Sequence, residues 1–276
     1  MGFEQIIGAA EKAAADQIKA EQGDYIVDGL LHCGKCKTPK QCRVEFFGQV
    51  RTPYCLCKCA TEKRDREERE RKRAEWAREQ RRIGFPDSDM QRWTFANDDL
   101  QNPRITQAMQ KYVKNFPELR KKGQGLLLYG NVGTGKTYAA AEVANALIDK
   151  GYSALVTNFA KIANTVGGLY EGKQAYYDSL NRFDLLVLDD LGAERKTEYM
   201  CEIVYNVIDS RYRAGLPMII TTNLTAEELK SPQEITYKRI YDRVLEKCLP
   251  VAVEGVNRRH KKVKESFSEL NSLLGL

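Results

Sequence analysis

No stretch of the sequence approaches about 18 consecutive uncharged apolar residues, the length a membrane-spanning helix requires. The start, MGFEQIIGAAEKAAADQIKAEQ, carries acidic residues and lacks a basic opening followed by a long apolar run, so no secretory signal is expected. Its Met-Gly opening does not complete a myristoylation signal, because Ile6 stands where Ser or Thr is required. Internal repeats are missing, and no low-complexity segment appears apart from one charged stretch. These absences lead to the expectation of a soluble, cytoplasmic protein. Cysteine is nearly absent outside one short window: of 8 in the chain, all but Cys201 and Cys248 fall between Cys33 and Cys59. In a reducing compartment such a cluster points to a bound metal more than to disulfides.

What is present divides into three zones. The 276 residues suit one large domain plus a smaller appendage. Residues 1–60 hold a short amphipathic start and the cysteines. Residues 61–84, beginning TEKRDREERERKRAEWAREQRRI, are mixed charge with many Glu/Arg pairs three or four apart, which predicts an exposed helical linker. After the break Gly84-Phe85-Pro86, residues 85–276 form the large domain. Charged residues make up 30% of the chain and the net charge is +6, a basic excess that fits a nucleic-acid partner or a solvated surface equally.

Within the large domain, apolar runs of strand length recur: GLLLYG, YSALVTN, FDLLVLDD, LPMIITTN and LPVAVEG. Helical patterns separate most of them. Strands apolar on both faces and alternating with helices predict an α/β fold whose parallel sheet is covered on both sides.

The first run ends in Gly130-Asn131-Val132-Gly133-Thr134-Gly135-Lys136-Thr137, which fits the phosphate-loop pattern G-x-x-x-x-G-K-[ST] between a strand and a helix. Glycines there let backbone N–H groups converge on phosphate oxygens at the positive end of the next helix. Lys136 would reach the β and γ phosphates of ATP, and the Thr137 hydroxyl would serve Mg²⁺. The strand FDLLVLDD ends in paired carboxylates, costly beside a core without a purpose. Asp189 would join the Mg²⁺ shell and Asp190 would polarise the attacking water. IITTN ends another strand with Asn223, an amide placed to orient that water against the γ-phosphate.

In order and spacing, GNVGTGKT, LLVLDDLGAE, IITTN and RIYDRV resemble the AAA+ ATPases of the DnaC-like helicase-loader and IstB-like transposition-helper group, over roughly residues 85–260. The resemblance implies an AAA+ P-loop fold with a five-stranded parallel sheet between helices and a reduced or absent lid. It makes Asn223 the sensor-1 residue and Arg243 an arginine finger reaching a neighbouring subunit's site, supported by Arg239. A guanidinium supplied in trans stabilises charge on the transferring phosphoryl group, so hydrolysis would depend on self-assembly through Arg243. Two features depart from the group. Most AAA+ proteins have Glu where this chain has Asp190, so turnover is expected to be slow, or Glu194 assists. The chain after Arg243 is too short for the usual helical lid. Arg258 and Arg259 lie where the group often has a final nucleotide-facing arginine, and the sequence does not choose between them.

The cysteines read Cys33-x-x-Cys36, Cys42, then Cys55-x-Cys57-x-Cys59. That spacing suits a tetrahedral thiolate site for Zn²⁺, with an iron–sulfur cluster as the rival metal. Cys33 and Cys36 are the firm ligands, joined by two of Cys55, Cys57 and Cys59. Cys42 is a spare and His32 a possible substitute, while Gly34 lets the turn close. Loaders of the similar group, from phages and bacteria, carry such a zinc module before the ATPase domain and use their N-terminal modules to engage the helicase. The resemblance therefore implies an ATP-dependent loader that places a replicative hexameric helicase on single-stranded DNA, encoded by a phage or mobile element. Lys161, Lys173 and Arg182 are candidate DNA contacts. Two alternatives stand beside it: a transposition-helper ATPase, and a zinc-dependent nucleic-acid-binding protein whose ATP site switches without turnover.

Overall fold

The computed structural model describes residues 20–195, 197–232, 234–258, 267, 270, 271, 273 and 274. The expected amphipathic start before residue 20 and Arg259 lie outside the described residues. The chain divides into two compact units, Met1–Glu75 and Trp76–Leu276.

In the first unit, β1 (Tyr25–Val27) pairs antiparallel with β2 (Leu30–His32), and β3 (Val44–Phe46) with β4 (Gln49–Arg51). The β1–β2 turn is Asp28-Gly29, with φ of 49° and 73°. Two consecutive positive φ values match the right-handed twist of a tight hairpin, and Asp-Gly tolerates them. The charged stretch lies on α1 (Lys58–Gly84), where Lys63–Glu67, Glu68–Lys72 and Arg71–Glu75 form i,i+4 ion pairs. Such exposed pairs favour the helix only weakly and do not hold it against a core. The division between the units falls inside α1. Its last turns belong to the second unit: Ala77 is buried, Arg81 Nε donates to Asn145 Oδ1 at 2.9 Å, and Gly84 lies where a Cβ would come within 2.2 Å of Ala154 O.

The second unit contains α2 (Pro103–Lys122), β5 (Gly125–Tyr129), α3 (Lys136–Asp149), β6 (Ala154–Asn158), α4 (Phe159–Gly167), α5 (Lys173–Ser179), β7 (Leu185–Leu191), α6 (Glu198–Arg213), β8 (Met218–Thr222), α7 (Ala226–Lys230), α8 (Ile235–Lys247) and β9 (Cys248–Ala252). The five core strands are all parallel, in the order β6-β7-β8-β5-β9. Each apolar run of the sequence supplies one of them.

Alternation along these strands builds a core on each face. Leu126, Leu128, Leu185, Val187 and Ile219 pack with α2 and α3 on one side. Their neighbours Leu127, Leu186, Leu188, Met218 and Ile220 pack with α4, α6 and α8 on the other. Arg211 of α6 is completely buried, and its guanidinium donates to the carbonyls of Phe183 (2.9 Å), Asp184 (3.0 Å) and Pro217 (2.8 Å). Burial lowers its pKa to about 9, so it stays charged at neutral pH while knitting together the turns that enter β7 and β8.

Strand order positions the site. β5, which carries the phosphate loop, lies between β8 and β9, while β6, next in sequence, sits at the far edge. Connections therefore leave in opposite directions at β5, opening a crevice at the carboxyl ends of β5 and β8. No described helix is long and apolar enough to cross a membrane.

Candidate nucleotide and metal sites

The phosphate loop turns at Gly130, Gly133 and Gly135, with φ of 140°, 80° and 97°. A side chain at Gly130 would press to 2.6 Å from Val253 O, and one at Gly133 would overlap Asn257, so the positions need glycine for space as well as for conformation. Gly135 precedes α3 without capping it through a side chain, leaving the first backbone N–H groups of the helix for an anion.

Lys136 is buried with its ammonium turned back into the loop. Nζ donates to Gly130 O at 2.8 Å, Asn131 O at 2.8 Å and Asn223 Oδ1 at 2.7 Å. Asn223 in turn directs Nδ2 to Asp190 Oδ1 at 3.5 Å, so the amide sits between the lysine and the second carboxylate. Asp189 is half-buried near the end of β7, where Oδ1 accepts from Thr137 Oγ1 at 2.8 Å and Thr221 Oγ1 at 2.6 Å. Burial raises the Asp189 pKa while the two hydroxyls pull it down. These oxygens form the donor set a hard cation takes.

Two adjacent strand residues ordinarily face opposite sides of a sheet. Here the β7–β8 register shifts after Leu188, and Asp190 takes a left-handed φ of 57°. The Asp190 N–H donates to Thr221 Oγ1 at 2.9 Å, which holds the irregularity in place. Asp190 thereby faces a cavity of about 370 Å³ that Lys136, Thr137 and Asn223 also line. Glu194 does not reach it. Its Oε2 accepts from Gly192 N at 2.8 Å, and its carboxyl lines a separate cavity with Glu228 and Tyr241. Of the two carboxylates weighed in the sequence, the structure brings Asp190 to this cavity and Glu194 to the other.

Four lining residues were not singled out in the sequence. Trp93 stacks on Tyr138 with centroids 5.3 Å apart, Tyr138 Oη donates to Asn97 O at 3.0 Å, and Asp99 completes this wall. The aromatic pair offers a flat apolar surface of the kind that takes a nucleobase. Tyr138 follows the phosphate loop directly, a signal visible in the sequence; the WTFANDD segment lies far upstream and only the fold brings it here. Arg258 also lines the cavity and pairs with Asp99 at 3.0 Å.

Arg243 of α8 lies outside this cavity. Its Nε is 3.0 Å from Asp209 Oδ1 as an ion pair without hydrogen-bond geometry, Nη2 donates to Tyr205 Oη at 3.2 Å, and the guanidinium lies 5.0 Å from the Tyr205 ring centroid. Arg239 is exposed one turn earlier, and its carbonyl accepts from Arg243 Nη1 at 3.2 Å. Lys161, Lys173 and Arg182 are exposed on α4, α5 and the turn before β7.

In the first unit, the Sγ atoms of Cys33, Cys36, Cys57 and Cys59 all lie within 4.8 Å of one another. Zinc–sulfur bonds of about 2.3 Å put tetrahedral sulfurs about 3.8 Å apart. The Cys33–Cys59 and Cys57–Cys59 separations of 3.7 and 3.4 Å fit one such ion. Cys55 Sγ points instead to Pro39 O and Cys42 Sγ to Pro53 O. His32 bonds through Nδ1 to Leu30 O and stacks on Tyr25. Of the cysteines left open in the sequence, the structure brings Cys57 and Cys59 to the pair Cys33 and Cys36.

The knuckle is built to gather thiolates. Gly34 is needed because a Cβ would lie 2.2 Å from Gly23 O, a close approach rather than a special φ. Asp24 accepts from Gly34 N at 3.0 Å and pairs with buried Lys40 at 2.6 Å, which holds its carboxyl at about 2. The Thr38 hydroxyl lowers the Cys36 thiol to about 5, whereas neighbouring thiols push Cys59 up to about 12. Four crowded sulfurs cannot all ionise without a cation among them.

A family model described as IstB-like ATP binding protein matches residues 61–266. The chain is 30% identical over 183 residues to the replicative helicase loader DnaI of Bacillus subtilis (strain 168), covering 60% of this chain and 58% of that protein. To the replicative helicase loader DnaC of Escherichia coli (strain K12) it is 25% identical over 158 residues, 56% of this chain and 63% of that one. The matches thus span less than two thirds of these relatives. Among solved structures, a DnaI crystal structure superposes with a TM-score of 0.54 at 24% identity, over 64% of this chain and 95% of that chain. A DnaC helicase-loader structure superposes at 0.52 and 20% identity, over 61% and 100%. The shared architecture is the AAA+ fold.

Proposed function

The chain belongs to the IstB-like ATP-binding protein family, and on that premise we propose that it is an AAA+ ATPase that loads a replicative hexameric helicase onto single-stranded DNA. The nucleotide part of this reading is carried by one observation. The phosphate loop, Thr137, Asp189, Asp190 and Asn223 converge at the carboxyl edge of three adjacent strands, tied by Lys136–Asn223 and Thr137–Asp189 hydrogen bonds. The loading part rests on the likeness to DnaI and DnaC, whose names state that role.

ATP would lie with its phosphates on the loop amides and its base against Trp93 and Tyr138. Lys136, now shared among two carbonyls and Asn223, would turn its charge to the β and γ phosphates. The Thr137 hydroxyl and the Asp189 carboxylate would hold Mg²⁺, which supplies charge neutralisation on the phosphates when bound. Asp190 polarises the attacking water and Asn223, beside it, orients that water. Because Asp190 is one methylene shorter than the Glu of most AAA+ sites, hydrolysis is slow and responds to assembly or DNA. Arg243 acts in a neighbouring subunit, released from Asp209 and Tyr205 as subunits associate. Cys33, Cys36, Cys57 and Cys59 would hold Zn²⁺ and stabilise an N-terminal module, residues 1–60, that docks on the helicase. The protein works in the cytoplasm, in a phage or mobile-element replication system.

The sequence also resembles IstB-like transposition helpers, so the test must separate partners. Immobilised full-length chain is incubated with the host's replicative helicase and with a transposase, each with ATP. Retention of the helicase supports the loader; retention of the transposase in its place replaces it with the helper reading.

A further inference from the structure

Three carboxylates surround one arginine beside the phosphate loop. Arg258 follows β9, and its backbone N–H donates to Gly133 O at 2.9 Å, lacing the segment after β9 onto the loop. Its guanidinium covers Gly135, where an added Cβ would lie 3.2 Å from Cζ. Nη1 is 3.0 Å from Asp99 Oδ1 and 4.0 Å from Asp98 Oδ1. Asp98 is almost wholly buried and accepts a short hydrogen bond from the Thr106 hydroxyl of α2.

The third carboxylate, Glu142, stands on α3 inside the alanine-rich run AAAEVA. It is 2% exposed, and its Oε1 has no hydrogen-bond partner. Glu142, Asp98, Tyr138 and Arg258 line one small pocket of about 10 Å³ beneath the loop. A buried carboxyl without a partner is costly, and that cost is avoided when the group keeps its proton. Arg258 therefore belongs to two sites: the acidic pocket below it and the nucleotide cavity, whose wall it also forms.

Resting on the nucleotide-site reading, we infer that Asp98, Asp99 and Glu142 form a proton-linked cradle that positions Arg258 over the phosphate loop until nucleotide phosphates take the arginine from it. A guanidinium prefers a bidentate, multiply charged phosphate to monodentate carboxylates. Its departure leaves Asp98 and Glu142 facing one pocket with the positive charge withdrawn, and two such carboxylates cannot both stay ionised. A proton enters from solvent and binds the Glu142 carboxylate; nothing is oxidised or reduced. Glu142 is a positioning residue, acting on nucleotide through Arg258.

The sign of the linkage follows from the groups facing Glu142. Its pKa is raised to about 8, chiefly by burial and also by Asp98 and Asp99, against the lowering effect of Arg258. Tyr138, on the same helix, is itself raised by burial and neutral across this range. Below pH 8 Glu142 already holds its proton and binding takes up little. Above pH 8 it is ionised while Arg258 remains, and nucleotide binding drives uptake. Affinity must fall as pH rises from about 7 to 9.

The test titrates the full-length protein with a fluorescent ADP analogue across that range, and repeats the binding by calorimetry in two buffers of different ionisation enthalpy. The wild type should lose several-fold in affinity from pH 7 to pH 9 and take up a fraction of a proton at pH 8.5. Glu142→Gln and Arg258→Ala should each flatten the pH profile and abolish the uptake, with folding checked by circular dichroism. A flat wild-type profile, or a slope that persists in both variants, overturns the cradle while leaving nucleotide binding intact. Absence of binding by the wild type at every pH would overturn the nucleotide site itself.

Discussion

Lys136 Nζ donates to Asn223 Oδ1 at 2.7 Å, joining the phosphate loop after β5 to the carboxyl end of β8. The bond ties the phosphate-loop lysine to the amide that faces the second carboxylate. Replacing Lys136 with Ala removes a charge from a site built around it. Charge-assisted hydrogen bonds contribute about 1.5–3 kcal/mol each, so Lys136→Ala should lower nucleotide affinity about tenfold to a hundredfold and reduce turnover to background. Asn223→Ala should leave affinity within a few-fold and cut turnover at least tenfold. Equilibrium binding and steady-state phosphate release on the same samples separate the two effects.

Arg243 is held within the chain by Asp209, Tyr205 and Tyr212. If it acts in trans, Arg243→Ala should bind nucleotide normally yet hydrolyse it about a hundredfold more slowly at concentrations that permit assembly. Mixing it with Lys136→Ala should restore part of the turnover, since each variant supplies what the other lacks. Turnover equal to wild type would remove Arg243 from the finger role.

Metal content distinguishes the ligands from the spare thiols. Cys57→Ser and Cys59→Ser should lose bound metal and lower the melting temperature of the N-terminal unit. Cys42→Ser and Cys55→Ser should keep one equivalent, because their sulfurs point to Pro53 O and Pro39 O. Elemental analysis after desalting identifies the metal at the same time.

Glu142 also makes stability depend on pH. Its carboxyl is raised to about 8, chiefly by burial, so the folded state binds a proton more tightly than the unfolded chain. That contribution is fully present below the unfolded value of about 4.5 and is lost as pH rises through about 8. Glu142→Gln should therefore gain melting temperature relative to wild type progressively between pH 5 and 8, by a few degrees, then level off. A constant difference across that range would mean that Glu142 is not buried as an acid.

The large features were legible because local chemistry announces them. Each apolar run of the second unit became a strand, and GNVGTG sits between β5 and α3 since its glycines allow no regular element. The sequence marked the cysteine cluster but not its membership: Cys55 and Cys57 are one residue apart, and only the backbone path decides which sulfur turns inward. Whether Glu194 could assist Asp190 depended on the β7 irregularity, which faces Asp190 to the cavity, and on the Gly192 turn, which holds the Glu194 carboxyl elsewhere. Trp93 and Asp99 were hidden by distance along the chain. Glu142 was visible as one acid within an alanine run, yet its meaning depends on Asp98 and Arg258, which arrive from opposite ends of the domain.

The central claim is tested most directly by helicase transfer. The host replicative hexamer is mixed with circular single-stranded DNA, ATP and the full-length protein, and DNA-bound helicase is counted after gel filtration. The account predicts that the wild type loads helicase with ATP, and that Lys136→Ala and omission of ATP both abolish loading. Helicase loaded equally by Lys136→Ala, or a wild type that neither binds nor transfers the helicase, would contradict it.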